Sequence, residues 1–267
     1  MIYALHGITD SKSMTEMGHR NLVQTDVLRS YIIDHRNAIG TTREVIAGQK
    51  ELAFTIDDST RASLDSALLF AELGIPCTWF VNGKNIVGDV PYSFAYLNEL
   101  MDRCDEKIVF DGKTICLDDF HKKKKVRKAI KEYMHRHFQT DTQRLLFLRE
   151  VIAANNLHDF EIPPYTRQVS IDRILSLKGS SVSVMNHLWE HNFTDLETPE
   201  ALMDNIRKGA EWLQTCFDYP INEHALPYGL YSESLRGLTE DIVYLLDNRY
   251  EAGEVLPNVL NRIAFQP

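Results

Sequence analysis

An α/β fold built on a parallel sheet is predicted by three observations. Short apolar runs rich in β-forming residues recur at Ile2–Leu5, Leu52–Ile56, Cys77–Val81 and Ser181–Met185. Segments with helical periodicity lie between them, and alternation of the two types is the pattern of a parallel sheet covered by helices. Several of the runs stop abruptly on polar side chains, as strands do where loops carry chemistry on the C-terminal face of such a sheet. The 267 residues suit one large α/β domain or two small ones, and 44% hydrophobic with 25% charged residues is the composition of a soluble globular chain.

Taken in order, Met1 to Leu5 reads as a buried strand ending at His6-Gly7, and Ser11 to Glu16 as a polar loop. Asn21 to Ile39 holds a helix around Val27, Leu28, Tyr31 and Ile32. Gly40 to Gly48 leads into the strand that ends at Asp57. Ser59 or Thr60 can cap the next helix, Ala62 to Leu73, whose Leu64, Ala67, Leu68 and Ala71 form a stripe. Gly74 ends that helix and the strand Cys77–Val81 follows, completing a βαβ unit whose crossover is expected to be right-handed.

Residues 90–178 are mainly helical. Helices are expected over Tyr92–Cys104, Lys122–Phe138 and Gln143–Asn155, with a hairpin around Asp111-Gly112. The run Lys122-Lys123-Lys124-Lys125 is either a solvated helix face, the plainer reading, or an electropositive patch for a phosphate-bearing substrate. Beyond it, Thr198 caps a helix that has Pro199 at its first position and ends near Cys216. A strand precedes Pro227, a helix is expected over Leu235–Asp247, and a closing strand over Val255–Phe265. The whole chain, 1–267, reads as one domain.

A net charge of −9 argues against nucleic acid as the main partner. No run approaches the roughly 20 apolar residues of a membrane span. Four cysteines without C-x-x-C spacing suggest free thiols, with Cys77 packed in a strand. The N-terminal apolar run is broken at His6 and Asp10, which does not read as a signal peptide, so a cytoplasmic location is expected.

Three stretches carry possible chemistry. Thr55-Ile56-Asp57-Asp58-Ser59 ends a strand on two carboxylates; neighbouring side chains on extended backbone diverge, so one could face a metal and the other a substrate. The same residues also suit a plain strand followed by a helix cap. His187 and His191, in His187-Leu188-Trp189-Glu190-His191, have the spacing that puts two imidazoles on one side of a helical turn. One Asp and two His would leave a coordination position open for water. Ala225-Leu226-Pro227-Tyr228-Gly229 reads as a constrained turn whose backbone N–H could face a ligand.

In this order the three resemble the T-F-D-D-G, H-[S/T]-x-x-H and P-Y motifs of the polysaccharide deacetylase family, the NodB-homology carbohydrate esterases. Ile75 to Gly83 is similar to that family's second strand, A-T-F-F-V-x-G. The resemblance covers residues 50–90 and 180–265 and makes the helical stretch at about 90–178 an insertion over the site. It implies a distorted (β/α)7 barrel, with Asp58, His187 and His191 as ligands of one divalent metal, zinc first and cobalt, nickel or iron after it. It further implies Asp57 as general base and the Tyr228 backbone N–H as oxyanion donor.

The sequence departs from the family in four places. No His follows His224, where the family's L-x-H motif supplies the acid. Ala4-Leu5-His6-Gly7-Ile8 instead resembles the Y-H-x-I segment that opens the circularly permuted, poly-N-acetylglucosamine deacetylase-type subgroup, which nominates His6 as acid. Ala225 stands where an Arg usually buttresses the base, and Arg262 on the closing strand is the substitute. Ser59 replaces the motif Gly, and Leu188 replaces Ser or Thr. The function implied is a metal-dependent hydrolase that removes an N-acyl group, foremost N-acetyl, from an amino sugar, a nucleotide sugar or a glycan precursor, with cell-surface polysaccharide biosynthesis as the setting. The alternatives are a deformylase or O-deacetylase of similar mechanism, and a non-catalytic carbohydrate-binding barrel.

Overall fold

The computed structural model describes residues 1–230, 241–247 and 258–266. Its strands are β1 (Ile2–Leu5), β2 (Ile8–Thr9), β3 (Val23–Gln24), β4 (Ala53–Ile56), β5 (Cys77–Val81), β6 (Lys107–Phe110), β7 (Lys113–Cys116), β8 (Val182–Asn186), β9 (Glu223–Ala225), β10 (Ile242–Leu246) and β11 (Val259–Ala264). The helices are α1 (Thr25–Asp34), α2 (Thr42–Ile46), α3 (Arg61–Leu73), α4 (Gly83–Gly88), α5 (Ser93–Arg103), α6 (Phe120–His137), α7 (Asp141–Ala154), α8 (Ile171–Leu175) and α9 (Pro199–Cys216).

Seven strands, β1, β4, β5, β8, β9, β10 and β11, close a barrel in chain order, and every pairing between them is parallel. Closure joins the two chain ends, with Tyr3 opposite Ile263 and Ala4 opposite Ala264. Every residue of β4 and β5 is buried, as expected of strands covered on both faces. The Thr60 hydroxyl caps α3 by accepting from Ser63 N–H at 3.2 Å, and Gly74 ends the helix at φ 64°, a left-handed conformation that glycine adopts without strain.

The predicted helix over Leu235–Asp247 is corrected in its described part: Ile242–Leu246 is strand β10, and residues 235–240 lie outside the described residues. Ile-Val-Tyr-Leu-Leu is a short β-forming run with four of five residues buried, which suits a barrel core better than one face of a helix. The closing strand is found at Val259–Ala264; residues 255–257 of the predicted span lie outside the described residues. Helix α2 was not anticipated, although Thr41 and Glu44 form a capping box at its start.

Residues 90–178 contribute α5, the β6–β7 hairpin, α6 and α7. Leu97, Leu100, Ile108, Ile130, Met134 and Leu148 form a hydrophobic cluster of their own, which Met17 joins from the N-terminal loop. The Asp102 carboxylate ties that loop down by accepting from the N–H of Met17 at 2.8 Å and of Gly18 at 3.3 Å. At the opposite end of the barrel, buried Glu223 at the start of β9 accepts from Thr42, Arg43 and Tyr244, which fixes α2 across that end. All four cysteines are free thiols, and Cys77 is buried in β5 as expected. Among the described residues, no helix is long and apolar enough to cross a membrane.

Candidate metal centre

The register of β1 and β4 pairs Leu5 with Ile56, and Asp57 N–H donates to Leu5 C=O at 2.9 Å. His6 and Asp57 therefore leave the C-terminal mouth of the barrel on neighbouring strands. Asp57 is buried, and its two oxygens accept from Arg262 Nη1 at 2.6 Å and Nη2 at 2.8 Å. Arg262 is itself fully buried and also donates to Thr55 Oγ1 and Leu245 C=O. Burial opposes ionisation of Asp57, but the Arg262 guanidinium, with His187, His6 and its own hydrogen bonds, outweighs it and holds the carboxyl below the usual range.

Asp58 is not extended; it sits at φ 68°. The expectation of divergent side chains on a straight strand is thus corrected: the chain turns left-handed at Asp58, and this turn separates the two carboxylates. Trp79 Nε1 fixes the turn by donating to Asp58 C=O at 2.7 Å. The histidines follow β8 in a loop and not on a helical turn, with Leu188 between them at φ 65°. Tyr228 has φ 60°. Each of the three motif segments therefore contains one non-glycine residue in the left-handed region, a conformation that costs about 1–3 kcal/mol where it is strained and that collects at functional sites.

Asp58, His187 and His191 are all buried, and one ligand atom from each lies within 4.8 Å of the others. Asp58 Oδ1 is 3.6 Å from His187 Nε2 and 3.3 Å from His191 Nε2. Ligands at about 2.0–2.1 Å around a tetrahedral ion stand roughly 3.3 Å apart, so these three atoms fit a zinc-sized ion. Asp58 Oδ1 is buried and accepts no hydrogen bond, a cost that a cation would remove. His187 Nδ1 donates to Ala225 C=O at 2.8 Å, which fixes the tautomer with Nε2 toward Asp58. Burial works against the Asp58 anion, but the two imidazoles overcome it and its carboxyl lies well below the normal range. Burial also lowers His191, whereas for His187 Asp57 and Asp58 outweigh burial and raise it.

A ring of side chains that the sequence did not reveal holds these groups. Asn82 donates from Nδ2 to His187 C=O and, at 3.3 Å, to Leu188 C=O. Tyr92 donates to Asn82 Oδ1 at 2.8 Å and meets Ser59 through both its N–H at 2.8 Å and its Oγ at 2.7 Å. Ser59, the replacement for the motif Gly, thereby joins the Asp58 loop to the histidine loop. Leu188 is buried among Leu202, Ile206 and Leu226, so its apolar side chain suits its place. Arg144, on α7, is fully buried, donates to His191 C=O at 2.7 Å and pairs with Asp141 at 3.0 Å. Gly209 lets α9 close on this loop: a Cβ there would stand 2.9 Å from the Leu188 carbonyl carbon.

A cavity of about 810 Å³ opens over the centre and is lined by His6, Asp57, Asp58, His187, His191 and Tyr228. The Tyr228 ring stands edge-on to His191 at 4.6 Å, and burial pushes its phenol up to about 12, so it stays protonated at neutral pH. Of the residues singled out in the sequence, His6 and Tyr228 line this cavity with Asp57, Asp58, His187 and His191, and Arg262 reaches it only through its pair with Asp57. His224 does not. It is buried in β9, meets Asn186 Nδ2 at 3.0 Å and Asp241 Oδ2 at 2.9 Å, and is no part of the cavity wall.

Solved structures share this architecture. A Streptococcus pyogenes deacetylase, PplD, in complex with acetate aligns with a TM-score of 0.59 at 12% identity, over 100% of this chain and 92% of its own. IcaB from Ammonifex degensii aligns with a TM-score of 0.56 at 12% identity, over 100% and 92%. A de-N-acetylase from Aggregatibacter actinomycetemcomitans gives 0.53 at 10% identity, over 98% and 93%. No family model matches the sequence, and no curated protein is significantly similar to it. At these identities the likeness is one of fold: the chain is a (β/α)7 barrel of the polysaccharide deacetylase type.

Proposed function

We propose that the protein is a metal-dependent hydrolase that removes an N-acyl group, foremost N-acetyl, from an amino sugar. The observation that carries this reading is the buried Asp58–His187–His191 group sharing one cavity with Asp57, whose carboxylate is paired with the fully buried Arg262. The fold shared with a polysaccharide deacetylase from Bacillus cereus supports the substrate class.

A divalent cation held by Asp58, His187 and His191 would polarise the acyl carbonyl and lower the pKa of water toward about 7. Zinc suits the ligand set best, and cobalt, nickel or iron fit the same donors. Asp57 takes the proton of the attacking water. Arg262 keeps Asp57 ionised and fixes both of its oxygens, so its position is set before substrate arrives. The Tyr228 segment supplies the N–H for the oxyanion, a donor worth roughly 3 kcal/mol in comparable sites. His6 leaves the strand next to Asp57 and protonates the departing amine. Loss of the family's Arg at Ala225 would favour a non-catalytic barrel, but Arg262 reaches Asp57 from the closing strand and makes a bidentate pair, which argues for retained chemistry. Deformylation and O-deacetylation use the same groups and are separated by substrate alone.

The test is hydrolysis of N-acetyl, N-formyl and O-acetyl amino sugars by zinc-loaded protein. N-acetyl hydrolysis abolished in Asp58→Ala and reduced roughly 10²-fold or more in Asp57→Asn supports the reading. Binding of sugars by a zinc-loaded protein that hydrolyses none of the three classes would replace it with the binding-module reading.

A further inference from the structure

Part of the cavity wall is cationic. Lys12 and Arg20 reach it from the N-terminal loop, and Arg127 and Lys131 from α6. The chain as a whole carries a net charge of −9, so this is not a surplus of basic residues spread evenly. Neighbouring lysines on α6 are spoken for: Lys122 pairs with Asp118 at 3.1 Å, Lys123 with Asp105 at 3.6 Å and Lys128 with Glu132 at 3.6 Å. Within the tetralysine run Lys122 and Lys123 are therefore ion-paired, Lys124 lies over the Phe120 ring and Lys125 is exposed. Val126, Ile130 and Met134 point into the insertion core, and Arg127 and Lys131, one turn apart, form the stripe that borders the cavity.

Arg127 is the centre of this wall. Its Nε donates to Asn98 Oδ1 at 2.6 Å, and its Nη groups have no acceptor among the described residues. Among those residues no carboxylate lies within ion-pair distance of Arg127, Arg20 or Lys12. Burial and the neighbouring Arg20 pull Arg127 down to about 10. Two like charges facing one cavity are relieved when an anion enters between them. Lys131 lies over the Tyr228 ring at 4.4 Å, and Tyr228 touches His191, so the cationic wall and the metal ligands are two side chains apart. The cavity, about 810 Å³, exceeds what one amino-sugar ring fills and leaves room for a charged substituent.

Resting on the hydrolase reading, we propose that the substrate is an N-acylated amino sugar carrying a phosphoryl group, a sugar phosphate or nucleoside diphosphate sugar, whose phosphate is held by Arg127 with Arg20 and Lys12. A phosphoryl group matches several cations and the planar guanidinium fork, where a carboxylate would need only one.

The test is calorimetric titration of the zinc-loaded full chain with N-acetylglucosamine, tri-N-acetylchitotriose, N-acetylglucosamine 1-phosphate, UDP-N-acetylglucosamine, N-acetylmuramic acid and inorganic phosphate. The phosphorylated sugars are expected to bind about tenfold or more tighter than the neutral sugars, since a hydrogen bond to a charged group is worth at least that factor. The advantage shrinks as salt rises and is lost in Arg127→Gln and in Arg20→Gln, the latter an exposed residue that tests the point should the former misfold. Lys125→Gln on the solvated face keeps it. A neutral trisaccharide binding as tightly as the phosphorylated sugars overturns the proposal, as does an undiminished advantage in both Arg variants. N-acetylmuramic acid binding as tightly would replace phosphoryl by carboxylate, and inorganic phosphate binding as tightly would divorce the site from the sugar. Hydrolysis of an aryl acetate by the same zinc-loaded preparation reports on the hydrolase reading separately: its absence would sink that reading and leave the binding result standing.

Discussion

The two imidazoles of the centre are held by different parts of the molecule. His187 belongs to the barrel: its Nδ1 donates to Ala225 C=O on β9, and its backbone is held by Asn82 just past β5. His191 leans on the insertion: Arg144 of α7 donates to its carbonyl, and the rings of Tyr92 and Phe94 stand edge-on to it at 5.1 and 5.6 Å. The barrel thus fixes one candidate ligand by strand geometry, whereas a packed helical layer holds the other. That layer touches the candidate centre directly. The same layer supplies Arg127 and Lys131 to the cationic cavity wall, and the N-terminal loop supplies Lys12 and Arg20.

The largest effect is expected on the barrel side. Arg262→Met leaves the buried Asp57 carboxylate unpaired and should cost about 3–5 kcal/mol in urea unfolding. Adding Asp57→Asn should recover much of that loss, because the uncompensated charge is gone; an equally unstable double variant would mean that Arg262 acts by packing alone. The pH dependence has a definite sign. Asp57 has a lower pKa folded than unfolded, so its contribution is complete above the unfolded value near about 3.9 and fades as pH falls through the depressed folded value. The wild type should therefore lose stability faster below about pH 4 than the double variant.

His6→Ala, also on the barrel side, should keep fold and metal and lose roughly 10²-fold or more on an amide. Loss on an activated ester should be much smaller, since its leaving group needs no proton. Equal losses on both substrates would make His6 a positioning residue. On the insertion side, Arg144→Met should weaken zinc binding about 10- to 100-fold, the usual effect of removing a group that orients a ligand. Unchanged zinc affinity would show that the insertion only covers the site. Lys125→Gln, on the exposed face of α6, should move stability by less than about 0.5 kcal/mol and leave zinc affinity alone.

The same division decided what could be read in the sequence. Barrel strands announce themselves by apolar runs that end on polar side chains: Asp57-Asp58 and His187 follow such runs, whereas Pro227-Tyr228 follows Glu223-His224-Ala225-Leu226 and stood out by its turn residues. Arg262 was legible only through the family resemblance, which places an Arg beside the base where this chain has Ala225 and left Arg262 on the closing strand as the substitute. Local geometry was less legible. A four-residue His spacing fits a helical turn, yet Leu188 at φ 65° makes the loop that brings both rings to Asp58. Arg144 and Asp141 were missed because an Arg or Asp in a helix reads as a surface residue, and only tertiary packing buries it. Ile242–Leu246 was misread because a short apolar run suits either a strand or one face of a buried helix.

The most direct test of the central claim is metal content after chelator stripping and dialysis against zinc, for wild type, Asp57→Asn and Asp58→Asn. One zinc per chain is expected in wild type and in Asp57→Asn, with little or none in Asp58→Asn. A wild-type chain that takes up no zinc or cobalt, or a set in which Asp57→Asn loses the metal and Asp58→Asn keeps it, would contradict the account.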